Sequence, residues 1–469
     1  MLFSSMTFLF VFMPVVMAVY LLSKKEIRNY ILLAASIIFY AWGEPRYLAI
    51  MILTIFINYF GALLIDRHVE SRKRKMWLAV TIAADLSFLV YFKYFNFIID
   101  NVNAVLQLNM NFIDVIMPIG ISFYTFQAMS YLIDVYRREV AAQKDINKLA
   151  LYIVLFPQLV AGPIVKYHDV CAEIDERNIR FEDVVIGLKR FIIGLAKKVL
   201  VANTLAVVVD NIFSHAPEEL RWKYAWLGII AYAVQLYFDF SGYSDMAIGL
   251  GRMFGFRFLE NFNYPYISKS VSEFWQRWHI SLATWFKQYL YIPLGGNRVS
   301  PARMYFNLFF VFLVTGVWHG ASWTFVLWGV WNGLFICLEK YRGWHKDAPG
   351  QKWWIGAVKH VYAVLAILFG LVIFRSENIA YAWGYIQRLL GFNMLEHYEK
   401  IDFGINNKFQ LMLIVGLICS LPLFKNMFAV RYERKVLRSV INIWLFILFF
   451  WSTISLASST YNPFIYFRF

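Results

Sequence analysis

A single histidine lies in the middle of a long apolar run. Residues 304–338 contain no Asp, Glu, Lys or Arg, and His319 is near their centre. A titratable side chain at membrane depth is costly, so it is a functional candidate by default. A neutral imidazole can take the proton of a hydroxyl as that hydroxyl attacks a thioester or an ester. We therefore predict His319 as a general base; the alternative is a core histidine bonded to a neighbouring carbonyl.

The segment that carries His319 is too long for one straight crossing. As a single helix it would extend roughly 50 Å, against about 30 Å of bilayer hydrocarbon. The run must therefore tilt, bend or break. Gly316 and Gly320 bracket the histidine, and glycine lowers helix stability while allowing close approach. We expect the bend there.

A second histidine follows a helix start signal. Ser270 precedes Glu273 by three residues, which is a capping box, so a helix should begin here. Its apolar stripe predicts one amphipathic helix at the membrane interface or within the bundle. The stripe consists of Phe274, Trp278, Leu282, Trp285 and Tyr289. His279 lies at its edge, where a packing or supporting role is expected more than a catalytic one.

Polar residues interrupt another strongly apolar segment, residues 222–250. They are Asp239, Ser241, Tyr243, Ser244 and Asp245. Two acids at that depth usually face a cavity. A structural hydrogen-bond network that caps broken helices is an equal alternative. If the acids form a polar pathway, the protein would be a transporter or channel.

The aromatic C-terminal residues, 461–469, allow two interpretations. Tyr466, among Phe464, Phe467 and Phe469, fits an interfacial anchor, because aromatic side chains favour the membrane boundary. Alternatively the tail folds back into a cavity, where the phenol of Tyr466 could accept an acyl group.

Composition restricts the class of protein. The chain has 469 residues, of which 60% are hydrophobic, 19% aromatic and only 16% charged. These values exclude a soluble globular protein and a disordered one, and repeated apolar runs predict a polytopic all-α membrane protein. Cys171, Cys337 and Cys419 are an odd set without metal-site spacing, so neither disulfides, a metal nor a resident cofactor is expected.

The net charge of +15 is concentrated in short loops. It orients the protein and favours lipid headgroups or a phosphate-bearing substrate over nucleic acid. The basic cluster at 66–75 is predicted to be cytoplasmic, which leaves both termini extracytoplasmic. Predicted spans are 1–22, 30–42, 47–65, 76–99, 115–136, 353–374, 409–424 and 440–456. Residues 151–165 contain two prolines and a glycine, which predicts a broken, re-entrant piece.

Six motifs resemble one family closely. They are 155–164, 237–251, 261–266, 274–282, 289–298 and Val317-Trp-His-Gly-Ala-Ser-Trp323. They are similar to the membrane-bound O-acyltransferase superfamily, in its bacterial branch of alginate and peptidoglycan O-acetyltransferase membrane subunits and the related teichoic acid D-alanyl transfer protein. The likeness covers nearly the whole chain.

The resemblance implies a fold and a function. The fold would be a single domain in a bacterial plasma membrane, with N-terminal helices in 1–145, a catalytic core in 146–340 and C-terminal helices in 341–469. A ring of about eleven transmembrane helices, with re-entrant and amphipathic helices, would surround a central tunnel. An acetyl group from a cytoplasmic donor, acetyl-CoA or an acyl-carrier protein, would reach an extracytoplasmic polysaccharide. An SGNH-type partner subunit would complete the transfer.

The resemblance also implies residue roles. His319 would be the base, His279 would support the site, and Tyr466 would carry the acyl group as a phenolic ester. Donor-phosphate candidates are Lys287 and Arg298. Tunnel candidates are Asp239, Ser241, Tyr243, Asp245, Trp278, Trp318 and Asn332. A scaffold that only recruits a secreted enzyme is a third possible function, and the sequence leaves open which polysaccharide is the acceptor.

Overall fold

A computed structural model describes the chain except residues 69, 160–161, 345–351, 393–400, 425–434, 459–460 and 464–469, and except the side chains of 424 and 435–437. Every regular element in the described ranges is helical. The main helices of the first half are α1 Phe8–Leu22, α2 Arg28–Gly43, α3 Leu48–Arg67, α4 Ser71–Leu106, α5 Ile121–Arg137, α6 Ile146–Val154, α7 Phe156–Leu159, α8 Tyr167–Asp175, α9 Phe181–Ser214 and α10 Trp222–Met253. Those of the second half are α11 Val271–Arg277, α12 Ile280–Phe286, α13 Pro301–His319, α14 Trp323–Arg342, α15 Trp353–Arg375, α16 Ile379–Leu389, α17 Asn407–Cys419 and α18 Lys435–Ser458.

These helices confirm an all-α, multi-pass membrane protein. Among the described residues, six helices are long and apolar enough to cross a bilayer, and α1 and α17 are shorter apolar helices. Helices suit a lipid environment because each satisfies its own backbone hydrogen bonds. The ring of about eleven helices and the central tunnel stay predictions.

Two predicted spans are wrong in their extent. The helix expected at 115–136 begins only at Ile121, because residues 107–120 are not helical and Gly120 has a φ of 78°. The helix expected at 76–99 is longer than predicted and runs from Ser71 to Leu106, over 36 residues. The break predicted in 151–165 is confirmed, since α6 ends at Val154 and α7 is one turn long.

The chain divides into two compact units. The first comprises residues 1–191 and 243–259, and the second comprises 192–242 and 260–469. The predicted division at residues 145 and 340 remains a prediction.

Within the first unit, a histidine connects two helices. His168, near the start of α8, has Nδ1 2.8 Å from Asp134 Oδ2 on α5 and Nε2 3.2 Å from Asp169 Oδ1. Hydrogen bonds to Asp134 and then Asp169 raise the pKa of His168 to about 9. The imidazolium is therefore charged at neutral pH and stabilises the packing of α5 against α8.

The contacts of His168 with Asp134 and Asp169 make the stability of the protein depend on pH. The folded-state pKa of His168, about 9, lies above the value of about 6.5 in an unfolded chain. Its contribution is therefore complete below about pH 6.5 and is lost as the pH rises towards 9. We expect the melting temperature of the detergent-solubilised protein to fall over that window, and His168→Gln to remove this part of the fall. An identical pH profile in wild type and variant would contradict this assignment.

In the second unit, α13 and α14 form an antiparallel hairpin. α13 ends at His319, Gly320 is extended, and Ser322 caps α14 by accepting a hydrogen bond from Thr324 N at 3.3 Å. The predicted break in the apolar run is thus confirmed, and it falls at Gly320. The bend expected also at Gly316 is wrong, because this residue lies within the helix.

Small residues bring the two arms of the hairpin together. A Cβ on Gly316 would lie 2.4 Å from Phe325 O, and one on Gly329 would lie 2.6 Å from Phe312 O. Glycine lets helices in a membrane approach closely, and Gly329 with Gly333 forms a GxxxG pattern on α14. Gly316 therefore sets the contact between the arms, and the hairpin places His319 at its tip.

Candidate active site

His319 is enclosed by aromatic rings. It is 5% exposed, and its ring centroid lies 5.0 Å from that of Trp318, 5.0 Å from that of Trp328 and 5.3 Å from that of Phe374. Trp328 belongs to α14 and Phe374 to α15, so three helices fix the environment of this imidazole. Such surroundings keep bulk water away from the imidazole.

The predicted amphipathic helix is interrupted at the second histidine. α11 ends at Arg277, α12 begins at Ile280, and His279 between them has a left-handed φ of 46°. The expectation of one continuous helix is therefore wrong, although its apolar stripe is buried. The capping box is confirmed in part, because Ser270 Oγ accepts a hydrogen bond from Glu273 N at 3.0 Å.

Asn261 explains the break. Its backbone oxygen accepts from Ile280 N at 3.0 Å, and its side-chain Oδ1 accepts from Ser281 N at 3.2 Å. His279 Nδ1 lies 3.2 Å from the same Oδ1. Since a backbone N–H must donate, this atom is an oxygen, and His279 Nδ1 therefore carries its proton. Asn261 thus fixes both the backbone turn and the tautomer of His279.

The two histidines share one neighbourhood. The ring centroid of Trp318 lies 6.4 Å from that of His279 and 5.0 Å from that of His319. His279 is 1% exposed, and burial lowers its pKa to about 3. It is therefore neutral at physiological pH, with the lone pair on Nε2.

Glu339 and Asn332 connect the hairpin to the helix before His279. Glu339 Oε1 accepts a hydrogen bond from Val271 N at 2.6 Å, and Oε2 accepts one from Ser272 N at 2.8 Å. Asn332 Oδ1 accepts from Trp275 Nε1 at 3.0 Å. These contacts, all from α14, hold α11 and so position the turn at His279.

The acidic residues form ion pairs. Asp239 Oδ1 lies 2.6 Å from Lys198 Nζ in the second unit, and both side chains are buried. Asp245 Oδ1 lies 2.9 Å from Arg190 Nη2 in the first unit. α10 is continuous through both acids, so the idea that they cap broken helices is wrong.

The remaining tunnel and donor candidates are dispersed. Trp278 stacks on Phe274 at 5.4 Å beside the turn of His279, whereas Tyr243 stacks on Phe3 at 4.7 Å within the first unit. Ser241 is buried. Lys287 and Arg298 are exposed, and Tyr466 lies outside the described residues.

Sequence reasoning missed three residues that shape this site. Asn261 lies in the motif 261–266, but its hydrogen bond with His279 joins two residues that are 18 positions apart in the sequence. Lys198 lies in a largely apolar segment, and the sequence does not identify Asp239 as its partner. Glu339 resembles one end of a charged loop in the sequence and is fully buried in the structure.

The role of Asn261 can be tested by substitution. Asn261→Ala removes the acceptor that orients His279, and we expect acyl transfer to fall about 10²-fold, the effect of a misplacement of about 1 Å in an active site. Asn263→Ala is the matched control, because Asn263 contacts Arg277 through its backbone oxygen. Equal activity of the two variants would show that Asn261 does not position the site.

Comparisons with known proteins identify the family of this chain. The model of the membrane-bound O-acyltransferase family matches residues 37–374. A probable alginate O-acetylase of Pseudomonas putida is 39% identical, with both chains covered completely, and one of Pseudomonas aeruginosa is 44% identical over 84% of this chain and 75% of its own. A peptidoglycan O-acetyltransferase of Helicobacter pylori is 33% identical over 90% of this chain and 87% of its own. The chain therefore belongs to the membrane-bound O-acyltransferase family, in its O-acetyltransferase branch, and is an O-acyltransferase.

Proposed function

We propose that the protein moves an acetyl group from cytoplasmic acetyl-CoA to an extracytoplasmic polysaccharide, through Tyr466 and a secreted SGNH-type partner. The observation that carries this proposal is the position of His319, buried at the tip of a hairpin and beside an oriented second histidine. The names of the relatives support acetyl as the group transferred and a polysaccharide as the acceptor.

The open end of the hairpin suits an anionic donor. Since α13 and α14 are antiparallel, Arg303 near the start of α13 lies at the same end as Lys340 and Arg342. A helix of 19 residues places this basic end roughly 28 Å from the tip, at 1.5 Å per residue. On the predicted orientation the basic end is cytoplasmic and could hold the phosphates of coenzyme A, while the acyl arm extends towards His319.

The first chemical step forms a phenolic ester. His319 accepts the proton of the Tyr466 hydroxyl, and the phenolate oxygen attacks the thioester carbonyl. The C–S bond breaks, and the coenzyme A thiolate leaves and takes up the proton that His319 holds. The base is restored, and the acetyl group is held on the tail.

The second step passes the acetyl group to the partner. A hydroxyl of the partner attacks the phenolic ester, the bond to the Tyr466 oxygen breaks, and the phenol regains its proton. The partner then transfers the acetyl group to a polysaccharide hydroxyl. Dividing the transfer in this way replaces one long transfer by shorter steps.

Transfer from labelled acetyl-CoA to the purified, bilayer-reconstituted protein tests this function. We expect a covalent acetyl label on wild-type protein and none on His319→Ala. A transporter using Asp239 and Asp245 would instead show solute flux without His319-dependent labelling. A scaffold would leave polysaccharide acetylation in cells intact in His319→Ala but not in a deletion strain. Either result would overturn the proposed function.

A further inference from the structure

A buried lysine in the second unit binds the C-terminal tail, residues 461–469, at Pro463. Lys198 is 1% exposed and lies within α9, a helix with the length and apolarity of a membrane span. Residues Lys197–Ala202 of this helix are π-helical, and such bulges are frequent at functional sites. A buried charge at this depth costs free energy, so its retention needs an explanation.

The ammonium group of Lys198 contacts three acceptors. Nζ lies 2.6 Å from Asp239 Oδ1 and donates to Asn203 Oδ1 at 2.9 Å. It also donates to the backbone oxygen of Pro463. The contacts of Lys198 therefore join α9, α10 and the backbone at Pro463.

Neighbouring residues hold the same stretch of chain. Asn203 Nδ2 donates to Asn462 Oδ1 at 3.1 Å, and the Tyr461 hydroxyl donates to Asp210 Oδ2. Asp210 is itself paired with Arg375 Nη2 at 2.7 Å. Three consecutive residues, Tyr461 to Pro463, are thus bound along one side of α9.

One residue connects this binding site to His279 along α10. Asp239, the partner of Lys198, precedes Phe240, whose ring centroid lies 4.6 Å from that of His279. Tyr466 follows Pro463 by three residues, so its Cα can be at most about 11 Å from that of Pro463. Holding Pro463 therefore restricts the volume that the Tyr466 phenol can reach.

We propose that Lys198, Asp239 and Asn203 form a receptor for the main chain of the C-terminal tail, and that Lys198 is a positioning residue that delivers Tyr466 to His319. The docking itself rests on the contacts above. Its consequence for acetyl transfer rests on the proposed function.

A crosslinking experiment tests the docking without acetyl chemistry. In full-length protein lacking the three native cysteines, Val207→Cys and Tyr461→Cys are joined by a short, reducible bis-thiosulfonate reagent. These two positions line one cavity with Asn203, and their substitution leaves Lys198, Asp239 and Asn203 in place. Lys198→Met would leave Asp239 buried without its cation, so Lys198→Met with Asp239→Leu serves as the second variant. We expect crosslinking at least tenfold slower in both variants, and unchanged within twofold in Lys197→Met.

The same crosslink then tests the link to activity. We expect acetyl transfer to fall at least tenfold in both Lys198 variants, and to recover when the tail is crosslinked to position 207 and fall again on reduction. Undiminished crosslinking in the Lys198 variants would overturn the receptor. Failure of the crosslink to restore transfer would overturn the positioning role. Absence of transfer in the wild type would overturn the proposed function alone, because the crosslinking rates would still decide the docking.

Discussion

We expect His319→Ala to lower acetyl transfer by about 10³-fold, within the range that a general base contributes. In the proposed mechanism, this variant lacks the imidazole that would take the phenol proton as the thioester is attacked. Transfer of label from acetyl-CoA in reconstituted bilayers measures this loss. His319→Gln should be equally inactive, because an amide cannot accept and release a proton near neutral pH.

The matched control for this variant is His360→Ala. His360 lies in the same unit, and its Nδ1 bonds to Ser268 O at 3.0 Å, outside the aromatic cage of His319. It should retain transfer within about tenfold, a loss of at most about 1.4 kcal/mol in the activation barrier. A His319→Ala protein with wild-type activity would exclude this residue as the base.

We expect Tyr466→Phe to lower acetylation of the polysaccharide by about 10³-fold or more, as the loss of a covalent nucleophile does. The substitution deletes one oxygen and keeps the aromatic ring, so an interfacial anchor would be unaffected. Labelled acetyl-CoA should no longer leave a covalent label on the protein. Polysaccharide acetylation in cells provides the second measurement.

A second variant tests whether the position of the hydroxyl along the tail matters. Tyr466→Phe combined with Phe467→Tyr keeps the composition of the tail and moves the hydroxyl by one residue. Because Pro463 is held by Lys198, the position of the hydroxyl along the chain should matter, and the double variant should stay inactive. Wild-type acetylation in Tyr466→Phe would refute the covalent relay.

The sequence predicted the fold class and some positions at which helices are interrupted. It did not predict the geometry of the chain at those positions. The charge-free run 304–338 is longer than the bilayer is thick, so it has to tilt, bend or break. Gly320 is one of the two glycines at which the sequence predicts a bend. The direction of the chain after the break depends on how Gly316 packs against Phe325 and Gly329. That contact between distant residues is not encoded in local propensity.

The turn at His279 shows why part of the site was not predictable. Helical periodicity continues from Phe274 through Tyr289, so pattern alone favours one helix. Hydrogen bonds from Ile280 and Ser281 to Asn261 override that pattern. In the same way, Asp239 was a candidate from sequence, but only the packing of α9 against α10 pairs it with Lys198.

The antiparallel hairpin also has a consequence for how the protein enters the membrane. Its two arms return the chain to the side from which it left, so together they add an even number of crossings whether or not each arm spans completely. The orientation of every helix that follows is therefore independent of how deeply the hairpin inserts. Insertion of the flanking helices can be completed before the hairpin reaches its final depth, and His319 at the tip can be the last part of this segment to leave water.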